Sequence, residues 1–292
     1  MRTLIVGASG FVGSALQSAF GSDAVGTYCA HPVEGLRQLD MRDGAAVRRL
    51  VAEVRPALII QPAAQPNVDW CEDHEQESYD INVAGTRNVA EAARVAEARF
   101  AFFSTDYVFD GAAGPYAEDA PTNPRNVYGR HKLEAERLIA ATLQDYLIVR
   151  VCGVYGFERQ GKNFVIGLLA RGRRGEPMNV PSDQWGTPTY GDNLAAAVKE
   201  LALSGHRGIY HVVGPESLDR VSFARLACDV FGLDAGFLRP RTTAELGQRA
   251  PRPLRCGLQT AKVRAVLTTE LVAPRRGLEL MQQRLRQEGL LA

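Results

Sequence analysis

The sequence predicts a doubly wound parallel α/β sheet with a smaller C-terminal α/β lobe. Three observations carry that expectation. The chain opens on a short apolar run that ends in glycine, Thr3-Leu4-Ile5-Val6-Gly7, as a buried parallel strand does. Strand-like apolar runs then alternate with helix-like stretches over about 150 residues, which implies βαβ units. Beyond Gly156 the alternation loosens, and glycine and proline recur at Gly172, Gly175, Pro177, Pro181, Gly186 and Pro188. Right-handed crossovers place helices on both faces of such a sheet. The expected division is residues 1–156 for the sheet and 157–292 for the lobe, with strands at about 189–213 free to return to the main sheet.

The elements follow in order. Residues 2–6 read as the first strand and 11–20 as the first helix. A second strand is expected at 24–27, a helix at 45–54 that stops before Pro56, and a buried strand at 57–60. The stretch 73–99 is rich in Ala, Glu and Arg and reads as one long helix. A strand at 100–104, a helix at 126–143 and a strand at 146–151 complete the alternation. In the lobe, helices are expected at 192–203, 222–231 and 276–287, with a strand at 208–213. Residues 239–257, rich in Arg and Pro, read as loop.

Composition excludes several classes. The 292 residues are 46% hydrophobic and 23% charged, and 34 basic against 33 acidic side chains leave a net charge of +1. No global basic field advertises nucleic-acid binding. No apolar run of about 18 residues suggests a membrane span, and glycine arrives too early at the N-terminus for a signal peptide. The five cysteines are odd in number and include no Cys-x-x-Cys pair. Reduced thiols in a cytoplasmic protein are the expectation, with no metal site.

Chemistry enters at Gly7-Ala8-Ser9-Gly10-Phe11-Val12-Gly13. A G-x-x-G-x-x-G pattern is weak alone, but this one leaves a strand and opens a helix, the context of a dinucleotide fingerprint. Glycine allows a tight turn and close approach of backbone N–H groups to a pyrophosphate, which the helix N-terminus then favours. The second strand ends Thr27-Tyr28-Cys29-Ala30-His31, with no acid before Glu34. A carboxylate there would hold the ribose 2′-hydroxyl of NAD. Its absence favours NADP(H) over NAD(H), with His31 or Arg37 facing a 2′-phosphate. Asp40, beside Met41, is a candidate adenine contact or a helix cap.

Tyr128-Gly129-Arg130-His131-Lys132 supplies a Tyr-x-x-x-Lys pair. With nine tyrosines and only four lysines in the chain, chance predicts about 0.12 such pairs. Four residues apart, both side chains share one helix face. A lysine ammonium there is expected to lower the phenol pKa, at about 4 kcal/mol of differential interaction for three units. Thr105 or Ser104, at the end of the fourth long strand, would hydrogen-bond a substrate carbonyl.

The glycine loop, Ser104-Thr105 and Tyr128-x-x-x-Lys132, in this order, resemble the extended short-chain dehydrogenase/reductase superfamily, whose cofactor domain is a Rossmann fold. Within it, Ser104-Thr105-Asp106-Tyr107-Val108-Phe109-Asp110-Gly111, Asn126-Val127-Tyr128-Gly129 and Arg150-Val151-Cys152-Gly153-Val154-Tyr155-Gly156 resemble the dTDP-4-dehydrorhamnose reductase family. Asn163-Phe164 and Asp183-Gln184-Trp185-Gly186-Thr187-Pro188-Thr189 are similar to its substrate-lobe segments. The resemblance implies hydride transfer from NAD(P)H to the C4 ketone of a nucleotide-linked 4-keto-6-deoxyhexose. Tyr128 would donate the proton, Lys132 would also bind the ribose, and Thr105 would bind the carbonyl oxygen. Ala63, Ala64, Gln65 and Asn82 would line the cofactor, although Pro62 stands where the family usually has asparagine. Asp106, Tyr107, Asn163 and Trp185 would face the substrate. The resemblance also allows a homodimer. A nucleotide-sugar epimerase and a non-catalytic NADP-binding subunit, like the regulatory subunit of methionine adenosyltransferase, are the alternatives.

Overall fold

The computed structural model describes residues 1–158 and 161–291. Its centre is a seven-stranded parallel sheet. The strands are β1 (Thr3–Ile5), β2 (Ala24–Tyr28), β3 (Arg37–Gln38), β4 (Leu58–Gln61), β5 (Arg99–Thr105), β6 (Tyr146–Val151) and an edge strand at Gly208–His211. From that edge the order is Gly208–His211, β6, β5, β4, β1, β2, β3. The order reverses between β1 and β4, and a ligand site is expected outside the carboxyl ends of the strands at that switch.

Helices cover both faces. One face buries Val47, Leu50, Val89, Ala93, Ala135 and Ile139 on the sheet, from α2 (Gly44–Val54), α5 (Thr86–Val95) and α6 (Val127–Thr142). The other buries Leu16, Leu194, Ala197, Val198 and Leu201, from α1 (Phe11–Phe20) and α8 (Gly191–Leu203). The element α8 thus belongs to the later half of the sequence yet packs on the glycine-loop helix. A third core, with Val165, Leu168, Phe223 and Leu278, joins α7 (Phe164–Arg174), α9 (Arg220–Phe231) and the Pro274–Gln287 helix. Among the described residues, no helix is long and apolar enough to cross a membrane.

Three expectations fail locally. The long helix at 73–99 is instead α3 (Val68–Asp73), α4 (Glu75–Tyr79), a π-helical turn at Asp80–Gly85, and α5. The π turn carries the buried Asn82, whose amide exchanges two hydrogen bonds with the Gln65 backbone, at 2.9 and 3.2 Å. Glu97, at φ 51°, then turns the chain into β5. The segment read as loop at 239–257 overlaps a strand, Leu238–Arg241, paired in parallel with Met178–Pro181. It also holds a short helix, Thr243–Leu246, with a capping box between Thr242 and Glu245. The helix α7 had no expected counterpart. It is capped at Asn163 and ends on Gly175 at φ 64°.

Candidate active site

The glycine loop is shaped by crowding. Gly7 sits at φ +96°, and a Cβ there would stand 2.7 Å from the Ala63 Cβ. A Cβ on Gly13 would stand 2.0 Å from the Gly7 carbonyl oxygen. The loop is tied to β2, where Thr27 Oγ1 accepts from the Gly7 N–H at 3.0 Å and the Thr27 carbonyl accepts from the Ser9 N–H at 3.2 Å. Gly10 is the N-cap of α1, and among the described residues no side chain caps the helix. The first-turn N–H groups therefore point out of an uncapped, positively polarised end. They border a cavity of about 880 Å³ lined by Ser9, Gly10, Phe11 and His31, together with Lys162 and Arg284. The open glycine cradle and its donors fit a dinucleotide pyrophosphate, while in the wider cavity the cations Lys162 and Arg284 stand with the carboxylates Glu158, Asp192 and Glu288.

A second cavity, of about 350 Å³, holds Thr105, Asp106, Tyr107, Tyr128, Trp185 and Arg220 in one lining. Local sequence explains the meeting. The end of β5 presents Thr105, which caps the following turn by accepting from the Tyr107 N–H at 3.2 Å. Asn126 caps α6 by accepting from the Gly129 N–H at 2.8 Å. A Cβ on Gly129 would lie 2.2 Å from the Tyr107 carbonyl oxygen. Only glycine lets α6 come this close, and the approach sets Tyr128 beside the 105–107 turn. The Tyr107 and Tyr128 rings meet edge-on at 6.2 Å.

One helical turn beyond Tyr128, Lys132 is 2% exposed, and its Nζ lies 3.9 Å from the centre of the Phe102 ring. Another turn on, the buried Glu136 accepts from Arg150 Nε at 2.9 Å and Nη2 at 2.7 Å, and from the Ser104 hydroxyl. Ser104 is thus committed to Glu136, and Thr105 is the hydroxyl that reaches the cavity.

Burial dominates the electrostatics. It pushes the Asp106 carboxyl up to about 6 and the Lys132 ammonium down to about 7, against the pull of Glu136. The Tyr128 phenol is raised above its ordinary value by burial first and by Asp106 second, while its hydrogen bond with Thr105 works the other way. The net shift is upward, opposite in direction to the one expected from Lys132 alone. Desolvation penalises the phenolate by more than its neighbours stabilise it.

The other sequence candidates divide. Val12 packs into the core beneath α1, so its contribution at the loop is its backbone. Met41 is buried, and its Sδ lies 3.6 Å from Gln61 Nε2. Asp40 is ion-paired with Arg42, Oδ2 to Nη2 at 2.6 Å, and Arg37 is paired with Glu53 at 2.7 Å. Ala63 and Ala64 are half-buried, with Ala63 packed under Gly7. Asn163 stands apart from the Thr105–Tyr128 cavity. Its amide caps α7 and donates to the Gly156 carbonyl at 2.9 Å. Trp185 lines the cavity but is 43% exposed, at its rim.

This arrangement has close counterparts. The sequence matches the RmlD substrate binding domain family over residues 1–287. The chain belongs to that family. A dTDP-4-dehydrorhamnose reductase of Streptomyces griseus is 38% identical over 259 residues, 86% of this chain and 83% of the relative. Methionine adenosyltransferase 2 subunit beta of Xenopus tropicalis is 30% identical over 275 residues, 91% of this chain and 82% of the relative. A crystal structure of dTDP-4-dehydrorhamnose reductase from Bacillus anthracis in complex with NADP superposes with a TM-score of 0.89 at 30% identity, covering 97% of this chain and 99% of the other.

Several residues of this RmlD-family site escape sequence reasoning. Arg220 is the cation in the lining of the smaller cavity, and its guanidinium lies over the Phe164 ring at 4.8 Å. Among 30 arginines in the chain, only its place just after the Asp219 cap of α9 sets it apart. Cys152 and Cys256, about a hundred residues apart, meet in the same lining. Glu136, by contrast, is signalled by the repeat of the four-residue spacing from Tyr128 through Lys132.

Proposed function

We propose that the protein is an NADPH-dependent reductase of a nucleotide-linked 4-keto-6-deoxyhexose, and that its substrate is a dTDP-sugar. The observation that carries this reading is the single cavity lined by Thr105 and Tyr128, with Lys132 buried one turn behind. Bound NADPH supplies the hydride to C4. Tyr128 donates its phenolic proton to the C4 oxygen, and its raised pKa keeps it in the protonated form that the step consumes. Thr105 hydrogen-bonds the same oxygen as charge develops on it. The Lys132 ammonium favours the phenolate left on Tyr128.

The flanking residues take binding roles in the same reading. Gly7, Ser9, Gly10 and Phe11 hold the pyrophosphate of the cofactor, and His31 faces the 2′-phosphate that distinguishes NADPH from NADH. Asn82 holds the 63–65 loop against the cofactor through its bonds to Gln65. Arg220 pairs with the pyrophosphate of the substrate, and Trp185 stacks on its base. Residues 1–156 carry the cofactor and most of 157–292 the substrate, with α8 completing the cofactor half. The five unpaired thiols suit a reducing, cytoplasmic setting.

The test follows NADPH oxidation with a panel of dTDP- and GDP-4-keto-6-deoxysugars. Wild type is expected to turn over at least one of them. Tyr128→Phe is expected to lower kcat by about 10²–10⁴-fold with NADPH binding retained. The frog relative, similar over 91% of this chain, favours one other reading, an NADP-binding regulatory subunit. Wild type that binds NADPH yet reduces no sugar would establish that reading and sink the reductase.

A further inference from the structure

On the reductase reading, on which this inference rests, the Thr105 hydroxyl needs a free proton for the C4 oxygen. A threonine hydroxyl has one proton and two lone pairs. The Tyr107 N–H occupies one lone pair at 3.2 Å. The single proton goes to Asp106 Oδ1 at 3.1 Å, which leaves the neighbouring Tyr128 phenol only the second lone pair until it turns its own proton to the substrate. In this state Thr105 has no proton to offer a carbonyl oxygen.

We propose that Asp106 is a positioning residue that must carry a proton for reduction to proceed. Protonated, its carboxyl donates to Thr105 Oγ1 and frees the threonine proton for the C4 oxygen. Ionised, it holds the threonine proton away from the substrate. No bond to carbon is involved, and the Asp106 proton stays on the carboxyl through the turnover. The proton that reaches the product comes from Tyr128.

The surroundings of Asp106 suit this role. It is 5% exposed, and among the described residues no cation forms an ion pair with it. Tyr107 adjoins it on the same turn, and Tyr128 faces it from α6. The Cys152 thiol hydrogen-bonds it from the end of β6. From the 252–256 segment, the Cys256 thiol donates to the Asp106 carbonyl at 3.4 Å, and Arg252, ion-paired with Asp69 at 2.8 Å, acts on the Tyr107 phenol. Arg220, at the start of α9, is the cation that favours its ionised form, by less than burial opposes it. The balance leaves the carboxyl titrating at about 6, within reach of a pH profile.

The experiment measures kcat/KM from pH 6 to 8 for wild type, Asp106→Asn and Thr105→Val. An asparagine amide can donate to Thr105 at every pH, as the protonated acid does. The titration of Lys132 is common to all three proteins and cancels in the comparison. Wild type is expected to fall about 50-fold further across this range than either variant, whatever the absolute rates. Equal falls in wild type and Asp106→Asn would overturn the proposal. So would a Thr105→Val profile that keeps the extra fall, because Asp106 would then act through space. Should Asp106→Asn fail to fold, the comparison with Thr105→Val decides alone. Absence of turnover at every pH overturns the reductase reading instead. Infrared titration then still tests the pair. A carboxylic-acid band titrating near pH 6 and shifted in Thr105→Val supports it, and a band indifferent to that change overturns it.

Discussion

His211 should make the fold acid-sensitive by a calculable amount. It ends the edge strand beside Arg150 of β6, is 0% exposed, and sets its ring edge-on to Phe109 at 6.0 Å. Neither ring nitrogen has a hydrogen-bond partner among the described residues. Burial first and the Arg150 charge second hold its pKa down to about 3, while the backbone near Tyr116 and Gln259 favours the charged ring by less. The unfolded chain takes up this proton near the ordinary value of about 6.5. The unfolded state therefore binds more protons than the native state below that pH. The stability this histidine confers is complete above about 6.5 and is lost as pH falls toward the folded value. The loss is about 1.4 kcal/mol per pH unit, or about 2 kcal/mol between pH 7 and pH 5. That figure holds for any folded pKa below about 4. Urea unfolding of wild type and His211→Leu at both pH values isolates it, because the other titrating groups cancel in the difference. Wild type should lose about 2 kcal/mol more than the variant on acidification. A wild-type-to-variant difference that is the same at pH 5 and pH 7 would refute a neutral, desolvated imidazole.

Two further outcomes follow from packing. Removing the charge of Glu136 by Glu136→Gln leaves the buried Arg150 unpaired and should cost about 3–5 kcal/mol, whereas the double change Glu136→Leu with Arg150→Met should recover most of it. Urea midpoints at constant m would check this, and a double variant no better than the single one would count against it. Gly13→Ala drives a Cβ to 2.0 Å from the Gly7 carbonyl, displacing the α1 terminus. NADPH affinity measured by fluorescence titration should fall roughly tenfold or more, about 1.4 kcal/mol. Unchanged affinity would mean that the loop does not carry the pyrophosphate.

The sequence by itself determined the sheet class, the glycine loop and the Tyr128–Lys132 face. These are local properties. A glycine that must accept φ +96° at Gly7, or a close approach at Gly129, is written at one position, and a four-residue spacing puts two side chains on one face wherever a helix forms. The tertiary structure decided what depends on distant segments meeting. The π turn that lets Asn82 hold Gln65 appears in the sequence only as part of a helix-forming run. The pairing of Leu238–Arg241 with Met178–Pro181 joins segments about sixty residues apart, so local composition reads one of them as loop. Arg220 enters the smaller cavity because α9 begins there, which no spacing announces. The Tyr128 pKa makes the same division. The sequence places a lysine near the phenol and predicts a downward shift. Burial of Lys132, Asp106 and Tyr128 together turns it upward, because desolvation depends on everything that surrounds a group, and only the folded chain brings those surroundings together.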